Sequence, residues 1–152
     1  MRRVLSALFL IGAPVVAATA QGPAEYAVKI VCGAPDHPAV ANGYYYTAIN
    51  IHNPSQRAGA KLRWKIALTL PGIVPGPITT FFDIELKPDQ AAEIECQDIM
   101  RRAPRVRFLK GFVVIMSETE MDVVGVYTAA QSPDGRVVTL DIERVPVRRV
   151  TQ

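Results

Sequence analysis

The sequence predicts an all-β domain, an antiparallel β-sandwich of immunoglobulin-like or related Greek-key type, placed after an N-terminal signal peptide. Three observations predict it. Apolar and polar residues alternate with period two through most of the chain, as in strands that show one face to water. Turn residues interrupt this alternation at intervals of roughly ten residues, which divides the chain into about eight strands. No segment has the length and 3.6-residue periodicity of a helix able to carry a parallel crossover, so the strands are expected to run antiparallel.

The first element is the signal peptide, residues 1–20. Arg2 and Arg3 supply a cationic start, Val4 to Ala18 is apolar apart from Ser6, and Ala18-Thr19-Ala20 places small residues before Gln21. That order is a cleavable export signal, with cleavage expected between Ala20 and Gln21. An apolar run of about 15 residues containing Pro14 is short of the roughly 20 needed to span a bilayer. The first cysteine, Cys32, follows Lys29-Ile30-Val31 and so lacks the context of a lipid-modified cysteine. Residues 21–152 are therefore expected to form one domain, periplasmic or secreted, with no stable membrane insertion.

The strands follow in order. Glu25 to Cys32 places Tyr26, Val28, Ile30 and Cys32 on one face, and Tyr44 to His52 places Tyr45, Thr47, Ile49 and Ile51 inward. Lys61 to Leu70 is the clearest strand, with Leu62, Trp64, Ile66, Leu68 and Leu70 against Lys61, Arg63, Lys65 and Thr69. Its cationic outer face suits a sheet edge, where charge discourages pairing with another molecule. Thr79 to Leu86 and Ala91 to Cys96 flank Lys87-Pro88-Asp89-Gln90, and the proline and aspartate there predict a turn and a hairpin. Gln97 to Arg102 is the one short helical segment, stopped by Pro104. Phe108 to Ser117 and Met121 to Ala130 are apolar on both faces and read as neighbouring central strands of one sheet. Arg136 to Val145 closes the fold, with Val138, Leu140 and Ile142 inward and Thr139, Asp141 and Glu143 outward, before Pro146 ends it.

Charge and cysteine usage narrow the class further. The chain has 17 Lys plus Arg against 14 Asp plus Glu. Arg2 and Arg3 leave with the signal peptide, so 15 cations face 14 anions, a net of +1. Such a balance gives no global support for a nucleic-acid partner, which requires a clustered positive face. Cys32 and Cys96 are the two cysteines. Outside the reducing cytosol an even count favours a disulfide, and both thiols fall on inward strand faces. Two buried thiols, or one reactive thiol, are the alternatives.

Several stretches resemble those of small exported bacterial β-rich proteins of unassigned function with two cysteines. They are Val28-Lys29-Ile30-Val31-Cys32-Gly33, Thr47-Ala48-Ile49-Asn50-Ile51-His52-Asn53-Pro54, Glu93-Ile94-Glu95-Cys96, Lys110-Gly111-Phe112-Val113-Val114-Ile115 and Val126-Tyr127-Thr128-Ala129. The resemblance spans nearly all of residues 21–152. It implies export, two cysteines and a β-rich fold, and no mechanism.

Chemistry-bearing residues are sparse. His37 and His52 are the only histidines and neither sits in a paired metal-binding motif, so no metal or other cofactor is expected. Ser55, Ser117 and Ser132 lie in turn-like contexts without a nucleophile elbow. Glu93 with Glu95, and Asp141 with Glu143, stand two apart on strand faces where solvated carboxylates are ordinary. Asn53-Pro54-Ser55 is not a glycosylation acceptor, because proline fills the middle position.

Two surfaces and one loop remain as binding candidates. In Tyr44-Tyr45-Tyr46 the outer pair, Tyr44 and Tyr46, point the same way and could sit in a recognition surface. Arg101, Arg102 and Arg105 head a basic run continued by Arg107 and Lys110, joined by Arg144, Arg148 and Arg149, which suits anionic head groups or an acidic envelope polymer. Glu118, Glu120 and Asp122 could equally balance it. The loop Leu70 to Pro77 is a third candidate by position alone. The sequence thus points to an exported, non-catalytic protein that binds an envelope component or a partner protein. The alternatives are a hydrolase with an unrecognised site and a purely structural or stress-related envelope protein.

Overall fold

Period-two alternation produces ten strands and one short helix in a computed structural model that describes residues 22–35, 40–103 and 106–149. The signal-peptide segment, His37 and Arg105 lie outside the described residues. In chain order the elements are β1 (Ala24–Gly33), β2 (Tyr44–His52), β3 (Ala60–Thr69), β4 (Pro75–Ile78), β5 (Phe82–Leu86), β6 (Ala91–Glu95), α1 (Cys96–Arg102), β7 (Phe108–Ser117), β8 (Asp122–Ala130), β9 (Val137–Arg144) and β10 (Arg148–Arg149).

All the strand pairings are antiparallel. The ladder order is β4-β3-β7-β1-β2-β8-β9, with β5 also on β3, β6 on β2 and β10 on β1. The join between β1 and β2 is a single residue pair, Gly33 opposite Tyr45. It divides the sheet into two stretches, one of β1, β3, β4, β5, β7 and β10, the other of β2, β6, β8 and β9. Both stretches turn apolar faces into one core. Tyr26, Val28 and Ile30 of β1, Trp64 and Ile66 of β3 and Ile115 of β7 share it with Ile49 and Ile51 of β2, Ile94 of β6 and Val123 of β8. Fully burying each of these large apolar side chains is worth about 1.5–3 kcal/mol.

Buried polar groups bind the stretches where the ladder opens. The Tyr26 hydroxyl donates to the Met121 carbonyl at 3.0 Å and accepts the Met121 N–H at 2.8 Å, tying β1 to the start of β8. Burial pushes the Tyr26 phenol upward, so it stays protonated and able to donate. Cys32 and Cys96 form a disulfide between β1 and α1, with Cα atoms 5.5 Å apart, as their shared inward facing predicts. Helix α1 starts where the Asp98 carboxylate accepts the Glu95 N–H at 3.2 Å. It ends with the Ala103 N–H on the Ile99 carbonyl, ahead of Pro104.

Five expectations need correction. The strand expected over Thr79 to Leu86 is confined to β5, while β4 starts within the expected Leu70 to Pro77 loop and β10 adds a short strand after Pro146, so eight expected strands become ten. β5 and β6 are not a hairpin: β5 pairs with β3 and β6 with β2, so the Lys87 to Gln90 turn carries the chain from one stretch to the other. β3 is not an edge, because β7 lies on one side of it and β4 and β5 on the other. β7 and β8 are both internal but do not pair; β7 lies between β1 and β3, and β8 between β2 and β9. Finally, Leu140 and Ile142 are 63% and 62% exposed, and Val138 is exposed with them. They share the face of Val126, whereas Asp141 and Glu143 lie opposite Tyr127 and Gly125 on the inner side. Alternation assigns residues to two faces but cannot choose the buried one for an edge strand that lies beyond the core.

Candidate functional site

The face of β1, β3 and β7 turned away from the core is built by their alternation. With Val28 and Ile30 inward, Lys29 and Val31 point out; with Val113 and Ile115 inward, Phe112, Val114 and Met116 point out, preceded by Lys110. With Leu62, Trp64 and Ile66 inward, Lys61, Arg63 and Lys65 point out. Register brings these together, because Phe112 stands between Lys29 of β1 and Ala67 of β3, and Val114 pairs with Lys65. Gly111 lets β7 approach β3, since a Cβ there would come within 2.3 Å of the Ala67 carbonyl oxygen.

Three of the cations on this face lie over aromatic rings. The Lys29 ammonium sits 4.7 Å from the Phe112 ring centre, and Arg63 and Lys65 lie 4.5 and 4.9 Å from that of Phe81. Such stacking is worth about 0.5–1 kcal/mol at exposed sites and holds the charge in place. Lys61 is paired with Glu85 at 3.2 Å. Among the described residues, Lys29, Arg63, Lys65 and Lys110 have no carboxylate within 4.0 Å. Partial burial and the positive charge of Lys110 together hold the Lys29 ammonium below its usual range. Lys29 and Lys110 are therefore like charges in proximity that a bound anion would relieve, while Arg63 stands opposite Asp83 of β5.

The residues singled out from sequence are placed differently. Arg101 and Arg102 share Asp98 as a partner, at 3.5 and 3.8 Å, and the Arg102 guanidinium covers the Trp64 and Phe82 rings. Arg144 pairs with Asp122, and Arg149 with Glu120. Tyr44 is half-buried and Tyr46 is 46% exposed on the outer side of β2, opposite Thr128 of β8. The two tyrosines and the α1 arginines thus occupy separate elements and form no common cluster. Sequence reading missed Lys29, Phe81 and Phe112. Their only signal was a single outward cation on each of β1 and β7 beside the alternating cations of β3, and only the β1–β7–β3 register shows that they are neighbours.

The remaining polar groups read as architecture. His52 donates or accepts at both ring nitrogens, with Asp89 3.1 Å from Nε2 and Asp122 3.3 Å from Nδ1. These two carboxylates raise its pKa, Asp89 more than Asp122. Buried Asn53 organises the adjoining turn: its amide donates to the Ala58 and Lys87 carbonyls and its oxygen accepts the Ser55 N–H. The Ser55 hydroxyl accepts the Ala58 N–H, and the Ser117 hydroxyl that of Thr119, so both serve turns. On β6, the Glu93 carboxyl is raised by its hydrogen bond to Glu95. A cleft of about 780 Å³ lies at one end of β3 and β5, where Lys61, Arg63, Asp83, Glu85 and Glu118 mix both signs of charge. Among the described residues, no three His, Cys, Asp or Glu side chains are grouped to hold a metal ion, and no helix is long and apolar enough to cross a membrane.

No protein-family model matches the chain, and no curated protein matches it. Its fold is similar to that of the crystal structure of Thermotoga maritima 1070, with a TM-score of 0.51 at 10% identity, covering 82% of this chain and 94% of that one. At that identity the likeness concerns the fold alone.

Proposed function

We propose that the protein is an exported, non-catalytic β-sandwich of immunoglobulin-like or related Greek-key type, whose outward β1–β3–β7 face binds a phosphate- or carboxylate-bearing envelope polymer. The observation that carries this reading is the group Lys29, Arg63, Lys65 and Lys110, without an ion-pair partner among the described residues, the first three of them set over Phe81 and Phe112. Three strands hold the cations at fixed spacing, so little is lost in ordering them on binding. A sheet face with stacked rings also suits an extended polymer chain better than a small enclosed ligand.

Export is supported by the Arg2 to Ala20 signal pattern and by the Cys32–Cys96 bridge, which is characteristic of oxidising compartments. The sandwich is supported by two sheet stretches sharing one core and joined at a single pair. The non-catalytic reading rests on where the serines, carboxylates and His52 are spent, in turns, ion pairs and strand surfaces.

The test is retention on phosphocellulose, a phosphate-bearing polysaccharide. The wild type should be retained at low salt and released as screening lengths fall below the charge spacing. The double variant K29E/K110E should flow through, while R101E/R102E, with the same change in net charge, should still be retained. No retention of the wild type, or equal loss in both variants, overturns the reading.

A further inference from the structure

β9 is an edge strand exposed at every residue. It pairs with β8, and among the described residues no strand covers its other side. The Ile142 N–H donates to the carboxylate of its own neighbour Asp141 at 3.0 Å, so it points away from β8. By the alternation of an antiparallel ladder, the outward backbone groups therefore belong to Leu140, Ile142 and Arg144. Residues 137–144 contain neither lysine nor proline, the residues that most often blunt an edge. A register shift opposite Ala129 and Ala130 lies only at the start of the strand.

We propose that β9 pairs with β9 of a second copy of this chain, antiparallel about a two-fold axis at Leu140, so that the β2–β8–β9 ladder continues across both copies. Side-chain chemistry selects that axis. With Leu140 opposite its counterpart, Val138 faces Ile142, Thr139 faces Asp141 and Val137 faces Glu143, which unites apolar residues and sets no two carboxylates opposite. An axis at Asp141 opposes two aspartates, and one at Ile142 opposes Asp141 and Glu143, both destabilising arrangements. An axis at Thr139 runs Ile142 against Arg136, outside the strand. At Leu140, the same contact covers the exposed stripe and pairs the outward backbone groups, the Ile142 N–H exchanging its Asp141 carboxylate for a carbonyl of the second copy. This surface belongs to the stretch that does not carry the cationic face, so the proposal is independent of the polymer reading.

Analytical ultracentrifugation of the purified protein over a wide concentration range tests it, together with disulfide trapping. The wild type should be a reversible dimer, and L140K/I142K should self-associate at least about tenfold more weakly, a change of about 1.4 kcal/mol, with a melting transition unchanged at concentrations where both proteins are monomeric. L140C should form an interchain disulfide on mild oxidation, because Cα atoms across a hydrogen-bonded antiparallel pair are about 5.5 Å apart, within bridging reach. D141C, facing Thr139, should cross-link several-fold more slowly. A wild type that stays monomeric, a dimer indifferent to L140K/I142K, or D141C cross-linking as fast as L140C would each overturn the proposal.

Discussion

The Thr47 hydroxyl accepts the Val31 N–H at 3.0 Å and donates to the Val31 carbonyl at 3.1 Å. One side chain thus replaces both rungs of a ladder just beyond Gly33 and Tyr45, where direct pairing of β1 with β2 ends. The Thr47 N–H in turn donates to the Cys96 sulfur at 3.0 Å, so this threonine joins β1, β2 and the disulfide. Thr47→Val keeps the shape and removes the hydroxyl. With Thr47 only 2% exposed, leaving both Val31 groups unpaired should cost about 1–3 kcal/mol. The midpoint of urea unfolding should fall accordingly, and Thr47→Ser should recover most of the loss. An unchanged midpoint in Thr47→Val would show that water replaces the hydroxyl.

The Cys32–Cys96 bridge closes a loop with a sequence separation of 64. In the chain-entropy treatment a closure of that length stabilises the folded state by about 4 kcal/mol, an upper figure where the native geometry is unstrained. The Cys32→Ala/Cys96→Ala protein should therefore unfold at markedly lower denaturant, by about 2–5 kcal/mol. Because Thr47 contacts Cys96, adding Thr47→Val to that variant should cost less than it does in the wild type, a non-additivity expected of touching groups. Strict additivity would show that the two act separately.

Most strands could be read from the chain because each has a core on one side. Tyr26, Val28 and Ile30, or Leu62, Trp64 and Ile66, can only point inward, and both sets do. Pairing could not be read. The Lys87 to Gln90 turn has the residues of a tight reversal, yet the bonds around it, from the Asn53 N–H to the Gln90 carbonyl and from the Asp89 N–H to the Ser55 carbonyl, carry β6 to β2. Those bonds depend on residues over 30 positions away. The cationic face was illegible for the same reason: Lys29 and Phe112 are distant in sequence, and their meeting depends on the β1–β7 register. β9 failed differently. Its alternation is clean, but its Tyr127–Glu143 hydrogen bond of 2.9 Å turns the polar side inward, where no core remains to prefer Leu140.

His52 links the turn at Asp89 to the start of β8 at Asp122. Its folded pKa is raised above 6.5, first by the hydrogen bond to Asp89 and then by that to Asp122. A raised folded value means that its contribution is fully present below pH 6.5 and is lost as pH climbs through the folded value. Wild-type stability should therefore decline on going from slightly acidic to mildly alkaline solution. In His52→Gln this part of the decline should vanish, with the two proteins converging at the alkaline end. Urea midpoints measured across that window decide it, and parallel curves would remove His52 as the cause.

Gly111 sits inside β7 with a strand on either side, opposite Ile30 of β1 and Leu68 of β3. A methyl group there would stand 2.3 Å from the Ala67 carbonyl oxygen and 2.9 Å from the Leu68 Cα, both backbone atoms that no rotamer change can move. Gly111→Ala must push β3 away from β7, and overpacking of this kind costs typically about 1–3 kcal/mol. The displacement would fall under Phe112, between Lys29 and Ala67, so it should shift the cation spacing and weaken retention on phosphocellulose without removing any cation. Gly72, whose added Cβ meets nothing within 4 Å, is the contrasting position. Its φ of 77° makes Gly72→Ala a case of backbone strain alone, which should lower stability without altering retention. If Gly111→Ala lost stability but bound phosphocellulose as tightly as the wild type, the spacing of the cations set by the β7–β3 approach would not be what the polymer recognises.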